Sequence, residues 1–403
     1  MTIRIGILTG GGDVSSLNSL IFSVRKMAVK HNVTLVGFIN GWEGVLNKNY
    51  LILNNIEDHS FIGGTFLKTS RVNILHEENG IERANSILND VCPNGLIIVG
   101  GDDTLSNSYY ISDVPCVLIS KTIDNDVGYI EKSNVFGENI VTNYFTLGYP
   151  TAVEKINSYV GLDDGIRTTA YSHERIMILE SMGMDTGWLA ISSTFGNPDF
   201  ILIPEFPIDY NVLSNKIKNK YLSQHHVIIV ISEGASFVGT GLLSANYDEQ
   251  DAFGHPRFGG SSFILRDMLK KDLSKYFRTR NINVVNPSYL YRSGKPNLLD
   301  AQASIKLGKF AIPYLLQNLN EPHFLSIDLS GENVTVKPIP LSKFPQTKSG
   351  RFPKRYVDSR FYDENKYNIT ADARQYLLPM ISQQHRNRIS LKTYFNILNK
   401  YKK

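Results

Sequence analysis

The sequence lacks the features of a secreted, membrane-embedded or nucleic-acid-binding chain. Only two cysteines, Cys92 and Cys116, occur in 403 residues. Both sit beside or within apolar, strand-like runs, so buried reduced thiols are expected rather than a disulfide. No apolar run approaches the roughly 20 residues that a membrane-spanning helix needs. The N-terminus passes straight into a short strand, Ile3 to Leu8, with no basic segment and longer apolar stretch of a signal peptide. The expectation is a soluble, cytoplasmic protein with no membrane partner. An excess of one charge is also missing. The net charge is +4 and is dispersed, apart from the basic tail Asn399 to Lys403. That is too little for a nucleic-acid-binding face, and a few bound anionic groups would account for it. There is no internal repeat and no low-complexity segment.

What is present is ordinary for a soluble globular chain: 42% hydrophobic and 20% charged residues, at a length suited to two domains. Ile3, Ile5, Ile7 and Leu8 form a β-like run that ends in Thr9-Gly10-Gly11-Gly12-Asp13. Leu17, Leu20, Ile21, Val24 and Ala28 then recur at helical spacing. Strand, glycine turn and helix can hold a phosphate on backbone N–H groups and a helix N-terminus. A plain tight turn has the same sequence. The dinucleotide fingerprint fails, because Ser15 stands where its third glycine belongs. A Walker loop fails too, for want of a closing Gly-Lys-Ser/Thr.

Leu35 to Ile39 reads as a second strand and Gly41-Trp42-Glu43-Gly44 as a loop. Gly63-Gly64-Thr65 through Arg71 is a glycine-led loop with hydroxyls and two cations, Lys68 and Arg71. The buried strand Gly95 to Val99 stops at Gly100-Gly101-Asp102-Asp103-Thr104. Asp102 and Asp103 either hold Mg²⁺ through oxygen ligands or cap the following helix. Strand ends rich in Gly and Asp, repeated in βα units, are where open parallel sheets bind ligands.

The most telling stretch is Lys121-Thr122-Ile123-Asp124-Asn125-Asp126, after the strand-like run Val114 to Ile119. Two carboxylates, a hydroxyl and an ammonium at a strand end suit phosphoryl transfer. One acid can deprotonate an acceptor hydroxyl, the other can support a metal ion, and the lysine can neutralise phosphate charge. The competing reading is an Asx-rich turn that caps a helix. Residues 128–144 read as an irregular polar loop or lid. Farther on, Val227 to Ile231 is a very apolar strand ended by Ser232-Glu233-Gly234, and Ser288 to Asp300 is a loop before a helix. From about Leu325 onward a polar, Pro- and basic-containing tail follows, with a helical pattern near Tyr394 to Leu398.

In order along the chain, these motifs resemble the phosphofructokinase family. They are Thr9 to Asp13 with Leu17-Asn18, Gly63-Gly64-Thr65 through Arg71, Gly100-Gly101-Asp102 and Thr122 to Asp126. Thr146-x-Gly148-x-x-Thr151-Ala152, His173-Glu174-Arg175 and Met182-Gly183 with Gly187-Trp188 come next. Ser232-Glu233-Gly234 and Tyr291-Arg292-Ser293-Gly294 close the set, which runs from about residue 3 to residue 315. The resemblance implies an α/β chain of two phosphofructokinase-like domains, each a mainly parallel sheet flanked by helices, with the active site in the cleft between them. Residues 1–150 plus about 284–312 would form the phosphate-donor domain. Residues 151–283 plus about 313–335 would form the sugar-phosphate domain, with 336–403 as a C-terminal extension.

Carried over by position, the resemblance makes Asp124 the base, with Thr122 and Asp126 orienting acceptor and metal and Asp102 serving Mg²⁺. Gly11, Gly12, Arg71 and Asp103 fall on the donor side. Arg175, Met182, Gly183, Glu233, Tyr289 and Arg292 fall on the sugar-phosphate side, with Arg175 reaching in from a neighbouring subunit of a homodimer or homotetramer. In members that use ATP, the residue after Gly-Gly-Asp and the one before Thr-Ile-Asp are typically both glycine. Here they are Asp103 and Lys121, the pair that resembles the pyrophosphate-dependent branch. A carboxylate at Asp103 would repel and crowd an α-phosphate, whereas Lys121 offers charge to a small, dense anion.

The departures concern mostly the acceptor. Met184 stands where the family has an arginine, and Asn283 where a second cross-subunit arginine is common, with Arg280 out of step. Tyr289 replaces a frequent histidine. Each lost charged contact to a phosphate costs about 1.5–3 kcal/mol. On the donor side, Val14-Ser15-Ser16 lacks the family's Pro-Gly, and Lys68 replaces a usual glycine. Three functions follow: a pyrophosphate-dependent 6-phosphofructokinase, the same transfer to a different sugar phosphate or polyol, or a non-catalytic regulatory subunit. The retained acids Asp102, Asp124 and Asp126 speak against the last.

Overall fold

The computed structural model describes residues 2–132, 139–161, 165–239, 246–250, 256–257, 260–276, 281–317, 319–330, 333–345, 347, 350–381 and 400. The chain divides into two compact units. The first comprises Met1–Thr151, Tyr247–Pro256 and Arg292–Arg355, and the second Ala152–Asn246, Arg257–Tyr291 and Tyr356–Lys403.

In the first unit the apolar runs become strands β1 (Arg4–Thr9), β2 (Thr34–Phe38), β3 (Tyr50–Ile52), β4 (Leu96–Gly100) and β5 (Cys116–Thr122). Their order is β3-β2-β1-β4-β5, followed by the antiparallel pair His323–Ser330 and Asn333–Pro340. β2, β1, β4, β5 and His323–Ser330 are mutually parallel, while β3 is an antiparallel edge. β4 is buried along its whole length, which is why it reads as a continuous apolar run rather than an alternating one. Helix α1 (Leu17–Lys30) buries the expected Leu17, Leu20, Ile21, Val24 and Ala28. It packs against helix Leu298–Leu315, where a Cβ on Gly308 would lie 2.5 Å from Ser23 Cβ. Glycine there lets the two backbones approach. The chain leaves β1 towards β2 but later returns to β4 on β1's other side. The β1 and β4 ends therefore form a topological switch point, where open sheets of this kind bind ligands.

The second unit holds a wholly parallel sheet ordered Phe200–Leu202, Val227–Ser232, Ile176–Ser181, Ile282–Val285. Its two central strands are fully buried. Helices Tyr210–Gln224 and Ser261–Leu273 supply Leu213, Ile217, Leu265 and Leu269 to the same core.

The observed division differs from the expected one at 247–256, which belongs with the first unit, at 284–291, which belongs with the second, and beyond residue 312. Residues 313–335 belong with the first unit, because His323–Ser330 pairs with β5. Nor is 336–403 one extension: its first part completes that hairpin and continues to Arg355. Tyr356 onward joins the second unit, where Trp188 meets Phe361 and Tyr376 with ring centroids 5.6 and 5.5 Å apart. Gly41 to Gly44 is not a loop but the start of helix Gly41–Leu46, entered through Asn40 at φ 64° and anchored by buried Trp42. The stretch expected as an irregular loop contains an antiparallel pair, Tyr129–Lys132 and Asn139–Thr142. Its residues 133–138, the helical pattern at 394–398 and Arg280 lie outside the described residues.

Candidate active site

β5 extends three residues past Ile119, so Lys121 and Thr122 are strand residues and the acids follow at its carboxyl end. The Thr122 hydroxyl accepts the Asp124 N–H at 3.0 Å, and Asn125 takes a left-handed φ of 54°. Asn125 Oδ1 accepts the Thr146 N–H at 3.1 Å, while Thr146 Oγ1 donates to the Thr122 carbonyl at 2.6 Å. The Asp-Asn-Asp turn is thus held from both sides. It does not cap a helix: strand, turn and the Tyr129–Lys132 strand follow one another.

Lys121 is buried, and its ammonium donates to the Gly12 carbonyl. Gly11 adopts φ 75°, and a Cβ there would lie 3.0 Å from Lys121 Nζ. A Cβ on Gly12 would meet Arg292 Nη1 at 2.3 Å. The glycine turn therefore makes room for two cations. Burial, then the Arg292 guanidinium, pull the Lys121 ammonium down to about 7; Arg71 adds to this, while Asp13 and Asp124 oppose it. Two positive groups on one turn, with Arg71 near enough to act on the Lys121 charge, favour a compact, multiply charged anion. Two of the turn's N–H groups are already engaged, Gly10 with the Val99 carbonyl and Gly11 with that of Ser70. The side-chain cations are then the larger part of what this turn offers an anion.

Asp102 and Asp103 occupy the first turn of the short helix Asp102–Ser106, whose N-cap is Gly101, so neither acid caps the helix as the alternative reading expected. Asp102 Oδ2 is buried and takes no well-aligned hydrogen bond, and Lys354 Nζ lies 3.3 Å from it. Burial, then the charges of Asp102 and Asp124, push the Asp126 carboxyl up to about 8, and Lys354 opposes them. A buried carboxyl raised by two neighbouring acids fits a hard divalent cation, whose charge would relieve the repulsion. Among the described residues no three-ligand cluster of His, Cys, Asp or Glu is built. Mg²⁺ does not need one, since it commonly takes one or two carboxylates and completes its shell with water and substrate phosphates.

The sugar-phosphate candidates lie mostly in the second unit. The Gly183 N–H donates to Glu233 Oε1 at 3.1 Å, and the Ser232 hydroxyl donates to the Gly183 carbonyl at 2.5 Å. Gly183 takes φ 126°, and a Cβ on Gly234 would fall 1.8 Å from the Met184 carbonyl oxygen. Met182, Gly183, Met184 and Glu233 are thereby brought together at the carboxyl ends of adjacent parallel strands. Arg175 is not. It precedes the same strand, about 20 Å away by strand rise, and its Nη1 donates to Thr169 Oγ1 at 2.5 Å. Tyr289 is 69% exposed, and Asn283 sits on the edge strand opposite Met177. Arg292 belongs to the first unit, against Gly12 and beside Lys121.

Two charged residues at this site were missed in the sequence. Lys354 faces Asp102, and the buried Arg355 donates from Nε and Nη2 to the Asn125 carbonyl at 3.2 and 2.8 Å and from Nη1 to that of Asn143. The only signal was a Lys-Arg pair after Phe352-Pro353 in a tail that looked solvated.

A doubly wound α/β unit with cations and acids at its switch point defines a class of anion-handling proteins. The phosphofructokinase family model matches residues 4–315, and the chain belongs to that family. It is 31% identical to a pyrophosphate–fructose 6-phosphate 1-phosphotransferase of Amycolatopsis mediterranei over 357 residues, covering 85% of this chain and 98% of the relative. It is 32% identical to ATP-dependent 6-phosphofructokinase 3 of Streptomyces coelicolor over 317 residues, 77% and 86% of the two chains. A pyrophosphate-dependent phosphofructokinase from Marinobacter aquaeolei shares the fold, with a TM-score of 0.76 at 19% identity, over 94% of this chain and 92% of the other. No described helix is long and apolar enough to cross a membrane. Cys92 and Cys116 are buried and unpaired, and burial pushes the Cys92 thiol up to about 12.

Proposed function

We propose that this phosphofructokinase transfers a phosphoryl group from pyrophosphate, with Mg²⁺, to the 1-hydroxyl of fructose 6-phosphate, giving fructose 1,6-bisphosphate reversibly in glycolysis. The observation that carries the donor assignment is Lys121, buried with its ammonium on the Gly11-Gly12 turn. An ammonium in the space where ATP-using members have glycine suits a donor made only of phosphates. Asp103, at the start of the next helix, adds repulsion towards a nucleotide's α-phosphate. The named relatives include both pyrophosphate and ATP enzymes, so this residue pair, not overall identity, supports the choice.

In this reading Asp124 takes the proton of the acceptor hydroxyl as it attacks the donor's terminal phosphorus. Asp102 and Asp126 would hold the divalent cation, which when bound neutralises charge on the phosphates. Thr122 keeps Asp124 in register through the N–H it accepts. Lys121, Arg71 and the Gly11-Gly12 turn cradle the transferring phosphates, and Arg292 reaches the sugar phosphate. Met182, Gly183, Tyr289 and Glu233 bind the sugar phosphate, Glu233 while also bracing the Gly183 N–H. Arg175, at the far end of its strand from Glu233, serves a neighbouring subunit, which makes the enzyme a homodimer or homotetramer. Met184 and Asn283, in place of arginines, favour a second reading with the same donor and another phosphorylated sugar or polyol. Turnover with pyrophosphate against ATP, fructose 6-phosphate being the acceptor, tests the assignment.

A further inference from the structure

The segment that follows the family match returns to the acidic centre. Phe352 N–H donates to Ser106 Oγ at 2.7 Å, and that hydroxyl donates to the Asp102 carbonyl at 2.6 Å. Gly128 N–H donates to the Pro353 carbonyl at 3.3 Å, Lys354 bridges Val127 in antiparallel fashion, and Arg355 N–H donates to the Asp126 carbonyl at 2.6 Å. Residues 352–355 thus run antiparallel beside 125–128, joined by one bridge and two backbone hydrogen bonds. The register leaves Lys354 facing Asp102, Nζ to Oδ2 at 3.3 Å, with the two side chains only 16% and 13% exposed. The segment 352–355 itself lies beyond residue 315, where the family match ends.

We propose that Lys354 is a positioning residue: a resident cation that holds the Asp102 carboxylate in place and competes with the divalent cation for it. The inference rests on the reading that Asp102 serves that cation. An ammonium 3.3 Å from a carboxylate oxygen occupies the same electrostatic position that a metal ion would take. Both cations cannot have full use of that oxygen, so the segment sets how strongly the metal is held before the donor arrives. With the donor bound, the ammonium remains available as a further positive group beside the phosphates.

The test is Mn²⁺ binding to the full-length protein without pyrophosphate, read by the electron paramagnetic resonance of the free ion. Lys354→Met should bind Mn²⁺ about two- to fivefold more tightly, the range set by the worth of a partly exposed ion pair. Lys354→Arg should restore the wild-type value, and Lys354→Gln serves if the methionine variant does not fold. A purely structural role for Lys354 would give the opposite sign, because a loosened site binds Mn²⁺ less well. Unchanged or weaker binding in the neutral variants overturns the proposal. Asp102→Asn separates the two levels. If it leaves Mn²⁺ affinity intact, the metal role of Asp102 fails. If it weakens binding while Lys354→Met has no effect, only the competition fails.

Discussion

In the proposed function donor choice turns on Lys121, whose ammonium is held near its titration point by burial and two guanidinium groups. Its charge is present below about 7 and is lost as pH rises through that value in the free enzyme. The attraction for pyrophosphate should fall in the same interval. Lys121→Met should lower kcat/KM for pyrophosphate about 10- to 150-fold, the worth of one charged hydrogen bond. Its pyrophosphate KM should lack the rise through pH 7 that the parent shows. Steady-state rates between pH 6 and 8.5 check both, and parallel pH profiles would remove Lys121 from donor binding. At this scale the sequence was informative: Lys121, Thr122, Asp124 and Asp126 fall within six residues, so one strand end delivers them together. Lys354 was not legible. Its partner Asp102 is remote in sequence, and nothing local distinguishes a buried lysine from a solvated one.

Among the elements, residues 352–355 form the least expected piece, and Arg355 is its anchor. The side chain is 1% exposed and fully engaged with the Asn125 and Asn143 carbonyls. Arg355→Ala leaves buried carbonyls without their donor and should cost about 3 kcal/mol, since bonds to charged groups are the strong ones. Urea denaturation at constant m-value checks this, and a midpoint equal to the parent's would mean that the Asp124–Asp126 turn holds without the segment. The helix Gly41–Leu46 and the antiparallel pair Tyr129–Lys132 and Asn139–Thr142 escaped sequence reasoning for related reasons. The helix is six residues long, carries two glycines and depends on Trp42 burial, so periodicity has too little length to act on. The strand pair is defined by bonding between its own members, which composition does not record. By contrast β1, β4 and the strand Val227–Ser232 are buried on both faces, and their continuous apolar runs announce them.

For the whole molecule, the α/β class and the succession of strand ends that carry glycines and acids could be read from the chain, because each βα unit writes its glycine turn locally. The domain division beyond residue 312 could not, since it is decided by which sheet edge His323–Ser330 joins. The subunit assignment of Arg175 makes a further prediction. Arg175→Ala and Asp124→Asn should each be nearly inactive alone. Hybrids formed by unfolding and refolding the two together should regain activity, because one site of each mixed pair has both residues intact. No recovery in verified hybrids would place Arg175 outside the neighbour's site. Donor choice is what most sharply separates the proposed function from its alternatives. ³¹P NMR of the purified protein with Mg²⁺, fructose 6-phosphate and either pyrophosphate or ATP should show fructose 1,6-bisphosphate with pyrophosphate alone. Product formed preferentially with ATP would contradict the assignment built on Lys121 and Asp103, and no product with either donor would shift the acceptor to the phosphorylated sugars that Met184 and Asn283 suggest.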